Sequence, residues 1–218
     1  MSEAVTLPDH GLAVSPARRK RIFGLALPII GGMLSQNVLN LVDTGMVGTL
    51  GDEALAGVGL GGFANFLFSA FILGLSAGVQ AMTARRVGEG RWSETAIPLN
   101  GGLLLALWMA VPWSAFLITF AWDFFPVLTS DTAVVEQGVP YLRARLVAMF
   151  AMGMNFAFRG YWNAVDKSIL YMRTLISMHV VNIVLNWVLI FGNLGAPALG
   201  ATGAGVASAI ATIFGTVT

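Results

Sequence analysis

The chain has 218 residues, 56% of them hydrophobic and only 11% charged, with a formal net charge of +1 at neutral pH. A mean hydropathy of +0.77 is too high for an ordinary soluble domain, and the near-neutral balance excludes a basic surface for nucleic acid. The absence of cysteine excludes disulfides and thiolate metal sites, and the two histidines, His10 and His179, lie too far apart in sequence to predict a histidine metal centre. The length accommodates about six membrane-crossing helices joined by short loops.

Residues 1–17 are polar, carry Pro8, Gly11 and Pro16, and are predicted to be a disordered cytoplasmic leader. Arg18, Arg19, Lys20 and Arg21 then stand directly before the first apolar run, 22–48. That run continues past Asp43, longer than the apolar core of a signal peptide, so it reads as a retained span. Pro28 removes a backbone hydrogen bond inside it and predicts a bend. Gln36, Asn40, Asp43 and Thr44 recur at helical spacing and form one polar stripe. No Lys or Arg inside the span pairs with Asp43. A charge in hydrocarbon costs several kcal/mol, so this stripe must face protein or a wet cavity, which makes Asp43 a candidate ion site.

After a turn at Gly51-Asp52-Glu53, a second span is predicted at 57–83. Its start fits G-x-G-x-x-G by letter, but it has neither the preceding strand nor the following acid of a dinucleotide site. Gly57 with Gly61, and Gly74 with Gly78, instead predict two seams of close helix packing. Asn65, Ser69, Ser76 and Gln80 are expected to satisfy one another. A charged loop follows, and a third span at 97–120 carries Pro112 with Trp108 and Trp113. The fourth span is predicted at 139–162, the fifth at 169–191, and an incomplete sixth at 199–218. With the amino terminus inside, ten of the twelve basic residues fall on the cytoplasmic side, which predicts that orientation. Arg143 and Arg145 dissent, and are expected to snorkel or to pair with outer acids.

In the fifth span His179, Asn182 and Asn186 share one face. Spans one and five both run outward, and Asp43 and Asn186 lie about five or six residues from their outer ends. A carboxylate and amide oxygens therefore reach one depth, as a monovalent cation or a proton requires. His179 is placed nearer the cytoplasmic end, too far from Asp43 in depth to form a catalytic pair, so an enzyme is not expected.

The run Pro28 … Val42-Asp43-Thr44 … Val47-Gly48-Thr49-Leu50-Gly51, with Phe158-Arg159-Gly160 and Asn182-Ile183-Val184-Leu185-Asn186-Trp187 … Gly203-Ala204-Gly205-Val206-Ala207-Ser208, resembles the multidrug and toxic compound extrusion family, in its prokaryotic DNA-damage-inducible branch. The resemblance implies an all-α membrane protein: a six-transmembrane-helix bundle that forms the amino-terminal lobe of a twelve-helix transporter, or a half-size unit that pairs with a second copy. It also implies efflux of organic cations or other amphiphiles by antiport against H⁺ or Na⁺, with no cofactor. By position, Asp43, Asn182, Asn186 and Ser208 match the cation-coupling site and Pro28 the helix bend. Gln36, Asn40, Thr44 and His179 are expected to line the cavity. Asn186 stands where that branch often has aspartate, and Ser208 where it has threonine. The lost charge weakens the case for Na⁺ at Asp43 and Asn182 and favours H⁺. A lipid-linked precursor flippase of the same superfamily is the alternative, disfavoured by the few cations expected deep in the spans.

Overall fold

Seven α-helices, joined by loops and single 3-10 turns, make up residues 15–218, the part of the chain that the computed structural model describes. They are α1 (Pro16–Gly48), α2 (Asp52–Gly88), α3 (Ala96–Phe124), α4 (Thr132–Val147), α5 (Met149–Ala164), α6 (Ser168–Phe191) and α7 (Gly200–Val217). Most of the expected leader, residues 1–14 with His10, lies outside the described residues. Pro16 and Ala17 already belong to α1, whose amino terminus Ser15 caps by accepting from the Arg18 amide. Five helices (α1, α2, α3, α6 and α7) are long and apolar enough to cross a membrane.

The expected fourth span is not one helix. It is divided at Ala148 (φ −92°, ψ 10°) into α4 and α5 of 16 residues each. The Ala148 amide bonds back to Arg145 across a tightened turn, so the regular ladder is interrupted there. Buried Ser114 of α3 donates to the Leu146 carbonyl at 2.7 Å and satisfies one acceptor at the break. By contrast, α1 continues unbroken through Pro28.

The core lies among α2, α3, α4 and α5, where Ile72, Leu117, Phe125, Val139, Leu142 and Met149 are buried together. A second cluster, with Val47, Tyr141, Ile190 and Ala204, ties the end of α1 to α4, α6 and α7. Of the two glycine seams expected on α2, only the first is packed. A side chain at Gly57 would collide with the Val134 carbonyl and at Gly61 with Tyr141, whereas Gly74 and Gly78 face open space. The polar residues of α2 do not bond one another; Ser69 Oγ is buried without a partner.

α1 and α6 run side by side in the same direction, since Arg21 pairs with Asp166, Ser35 with His179, and Asp43 with Asn186. The α6–α7 turn rests on left-handed Gly192 (φ 75°). Beyond it, Gly203 meets the Leu189 carbonyl and Gly205 the Tyr141 carbonyl so closely that no side chain fits at either position. α7 is thereby drawn against α6 and α4, and this contact sets Ser208 beside Asn182.

Candidate functional site

The polar stripes of α1 and α6 meet. Fully buried Asn186 donates from Nδ2 to Asp43 Oδ1 at 2.6 Å and to Asn182 Oδ1 at 3.0 Å. Asn182 in turn donates to Ser208 Oγ at 3.1 Å, so α1, α6 and α7 share one network. If the Asn182 carboxamide is turned over, its nitrogen lies 3.1 Å from Asp43 Oδ1 and its oxygen accepts from the Ser208 hydroxyl and amide, both at 3.1 Å. The turned form gives Asp43 Oδ1 a second amide N–H and gives the Ser208 donors an acceptor, but it breaks the Asn186–Asn182 bond, since the two amide nitrogens then stand 3.0 Å apart. Asn186 Oδ1 is buried without a partner beside the carboxylate.

Two turns toward the amino end of α1 a second polar group forms. His179 Nδ1 lies 2.6 Å from Ser35 Oγ and His179 Nε2 lies 3.2 Å from Gln36 Oε1, while Gln36 Nε2 donates to Asn40 Oδ1 at 3.0 Å. His179 was expected near the cytoplasmic end, but it sits at the midpoint of α6, because α6 begins at Ser168 and ends at Phe191. Thr44 stands apart from this network and donates to the Asn40 carbonyl of its own helix. Ser35 escaped sequence reasoning; its position beside Gln36 in the polar stretch of α1 was the available signal.

Arg145 requires a larger correction. It neither snorkels outward nor pairs with an acid. It sits in the last turn of α4, half-buried, with its guanidinium donating to the Tyr141 hydroxyl at 2.8 Å and lying 5.7 Å from the Tyr141 ring centre. Its charge and that of Asp43 act on one another. Arg143, two residues away, is exposed.

Between α1, α5, α6 and α7 lies a cavity of about 300 Å³. Of the four residues expected to line it, only Gln36 does; Asn40, Thr44 and His179 lie outside its wall. Half-buried Arg145, buried Asn155 and exposed Arg159 line it as well. Asn155 donates to the Thr212 carbonyl at 2.9 Å and ties α5 to α7. Among the described residues no three His, Asp or Glu side chains converge as metal ligands.

Helices apolar and long enough to cross a membrane thus enclose a polar network shared by α1, α6 and α7. The MatE family model matches residues 28–188, and the chain belongs to that family, whose members are transporters and not enzymes. It is 29% identical over 184 residues to a probable multidrug resistance protein NorM of Neisseria meningitidis, covering 84% of this chain and 40% of that protein. With a protein of the same name from Pseudomonas syringae it shares 31% identity over 194 residues, covering 88% and 41%. Among solved structures it is similar to a MOP superfamily transporter from Pyrococcus furiosus described by a reversed polarity of its binding pocket (TM-score 0.84, 26% identity). It is equally similar to a multidrug resistance MATE transporter in an outward-facing conformation (TM-score 0.84, 26% identity). Each of these structural matches covers 91% of this chain and 43% of the other. The chain thus spans about two fifths of the length of the relatives it matches, the extent of one lobe.

Proposed function

We propose that this chain forms the amino-terminal lobe of a secondary antiporter that exports organic cations or other amphiphiles, driven by inward movement of H⁺. It lies in a plasma membrane of the bacterial inner-membrane type, with its amino terminus in the cytoplasm. The observation that carries this reading is the 2.6 Å contact between Asp43 and fully buried Asn186, continued through Asn182 to Ser208. A carboxylate held at the junction of three helices by groups that switch between donor and acceptor is suited to gain and lose a proton while the helices around it rearrange. No cofactor enters this scheme. The second lobe is supplied by a carboxy-terminal half or by a second copy of this chain, since alternating access requires one repeat to move against another.

Na⁺ is the second reading, favoured by one observation: the unpartnered, buried Asn186 Oδ1 next to Asp43. A hard cation would take both oxygens as ligands.

The test is Asp43→Asn in the complete transporter. Asparagine keeps the size and polarity of the protonated acid but releases no proton. Gradient-driven efflux should be abolished while the folded yield is retained, and Asn182→Ala should weaken coupling less. Efflux at the parent rate by Asp43→Asn across a proton gradient would sink the proposal. Stimulation of the parent by an inward Na⁺ gradient at constant pH would select Na⁺ instead.

A further inference from the structure

At the end of the cavity remote from Asp43, α5 and α6 bring polar groups together with no partner for them. Arg159 of α5 lines the wall and makes no ion pair among the described residues. Ser168, the first residue of α6, is 3% exposed, and its Oγ is buried without a hydrogen bond. Asn163 Oδ1, on the same wall, is also unpartnered. Tyr171 stands one turn further along α6, on the face of Ser168 and within electrostatic reach of Arg159.

α6 is 24 residues long and begins with no side-chain cap. Its first residue, Ser168, lines this mouth, which places the positive end of the α6 dipole there. The one nearby carboxylate, Asp166, is engaged by Arg21 at 2.6 Å. A guanidinium, a free hydroxyl and an uncapped helix start make an oxyanion cradle. Above it the wall turns apolar, with Met33, Met152, Leu175 and Met178 flanking the space, and methionine walls adapt to irregular chains.

We propose that this mouth binds the anionic head of a single-tailed amphiphile, a carboxylate or phosphate held by Arg159, Ser168 and the start of α6, with its tail in the cavity toward Arg145. Arg145 and Arg159 are fourteen residues apart, roughly 20 Å along the α4–α5 axis, so one head group contacts only one of them. Arg145 is already held by Tyr141, which leaves Arg159 as the free cation. The occupant is either a lipid of the inner leaflet or a soluble anionic amphiphile. The proposal does not depend on the coupling reading, since binding is measured without a gradient.

The test uses the purified chain in phosphatidylcholine nanodiscs with dansyl-aminoundecanoate and its methyl ester as paired probes, read by dansyl fluorescence. The acid should bind at least about tenfold tighter than the ester, the ratio expected of one charge-assisted contact. Arg159→Gln should bring the acid down to the ester's affinity, Arg159→Lys should keep most of the preference, and Ser168→Ala should lose about threefold. Arg143→Gln, on the exposed side of α4, should change nothing. Replacing part of the phosphatidylcholine by phosphatidylglycerol displaces the probe if a lipid is the occupant and leaves it bound if the occupant is soluble; either result retains the cradle. Equal binding of acid and ester overturns the proposal. So does an acid preference that survives Arg159→Gln in a monodisperse protein.

Discussion

Replacing Asn186 by aspartate tests the geometry around Asp43 most directly. The Asn186 Nδ2 atom lies 2.6 Å from Asp43 Oδ1, and Asn186 is fully buried. Asn186→Asp is isosteric, so packing is preserved, but it sets two carboxylates in contact. At an effective dielectric constant of 20 and a separation near 3 Å, two unit charges repel by about 5 kcal/mol. That is ample to prevent both from being ionised together without a neutralising ion. The variant must therefore hold one more proton than the parent near neutral pH, or bind a monovalent cation between the two acids. Isothermal titration with NaCl in two buffers of different ionisation enthalpy separates the two outcomes, because displaced protons add a buffer-dependent heat. The expected result is Na⁺ binding by Asn186→Asp that is tighter than in the parent and accompanied by proton release. If the variant remains monodisperse yet shows neither tighter Na⁺ binding nor proton release, positions 43 and 186 do not face each other in a dry site.

The proposed orientation predicts that Asp52→Cys reacts with a membrane-impermeant thiol reagent from outside intact cells and Glu89→Cys only after lysis; labelling of the latter from outside would invert the topology. A side chain at Gly160 meets the Ser76 carbonyl, whereas one at Gly78 meets nothing within 4 Å. Gly160→Val should therefore cost about 1–3 kcal/mol by overpacking and lower the thermal midpoint in detergent, while Gly78→Ala should leave it unchanged. In the loop after α2, hydrogen bonds from Arg85 and then Arg91 hold the Glu89 carboxyl below the usual carboxylate range, and Arg91 holds Glu94 below it in the same way. Carboxyl groups so depressed stabilise the folded loop at neutral pH and lose that contribution as pH falls through their lowered values. Amide exchange of residues 89–95, corrected for intrinsic rates, should stay protected from pH 7 down to about the ordinary glutamate value of 4.5 and lose protection only below it.

Much of the polar network around Asp43 could be read from spacing. Asp43 on α1 and Asn182 with Asn186 on α6 each lie on a helical stripe, and two helices running in the same direction put equal depths side by side. Ser208 was reached through its position in the family pattern, and the close approach of Gly203 to the Leu189 carbonyl explains why it arrives beside Asn182. The course of Arg145 was not legible. Arg145 stands in the turn just before the break at Ala148, where Ser114 of another helix, 32 residues away in the chain, satisfies the Leu146 carbonyl. No proline or glycine stands at 145–150, where the sequence is Arg-Leu-Val-Ala-Met-Phe, so the local residues carry no trace of the interruption. The cavity end at Arg159 and Ser168 was hidden for a related reason. Each residue alone reads as an interfacial cap or a snorkelling cation, and only the fold shows both on one wall.

The position of α1 follows from how little of it is packed. Of its 33 residues only Gly32, Leu39 and Val47 are buried. Ile22, Phe23, Leu27, Met33, Leu34 and Leu41 are all at least half exposed and lend it no internal hold. At one end α1 is fastened by the Val47 cluster and at the other by the exposed Arg21–Asp166 pair, worth at most about 1 kcal/mol. Between them α1 meets α6 through Gly31 and Gly32 on Met172 and Leu175 and through polar contacts, Ser35 and Gln36 on His179 and Asp43 on Asn186. Polar contacts differ from apolar ones in that a single proton changes their sign. Neutralising Asp43 removes a charge-assisted acceptor for Asn186 and for the turned Asn182, a change of about 1 kcal/mol or more per bond. Because few buried side chains oppose it, a change of that size is large relative to what holds the middle of α1 in place. Of the better-packed helices α2 to α5, only α4 reaches Asp43, through the charge of Arg145, so neutralising Asp43 is expected to move α1 and not that frame.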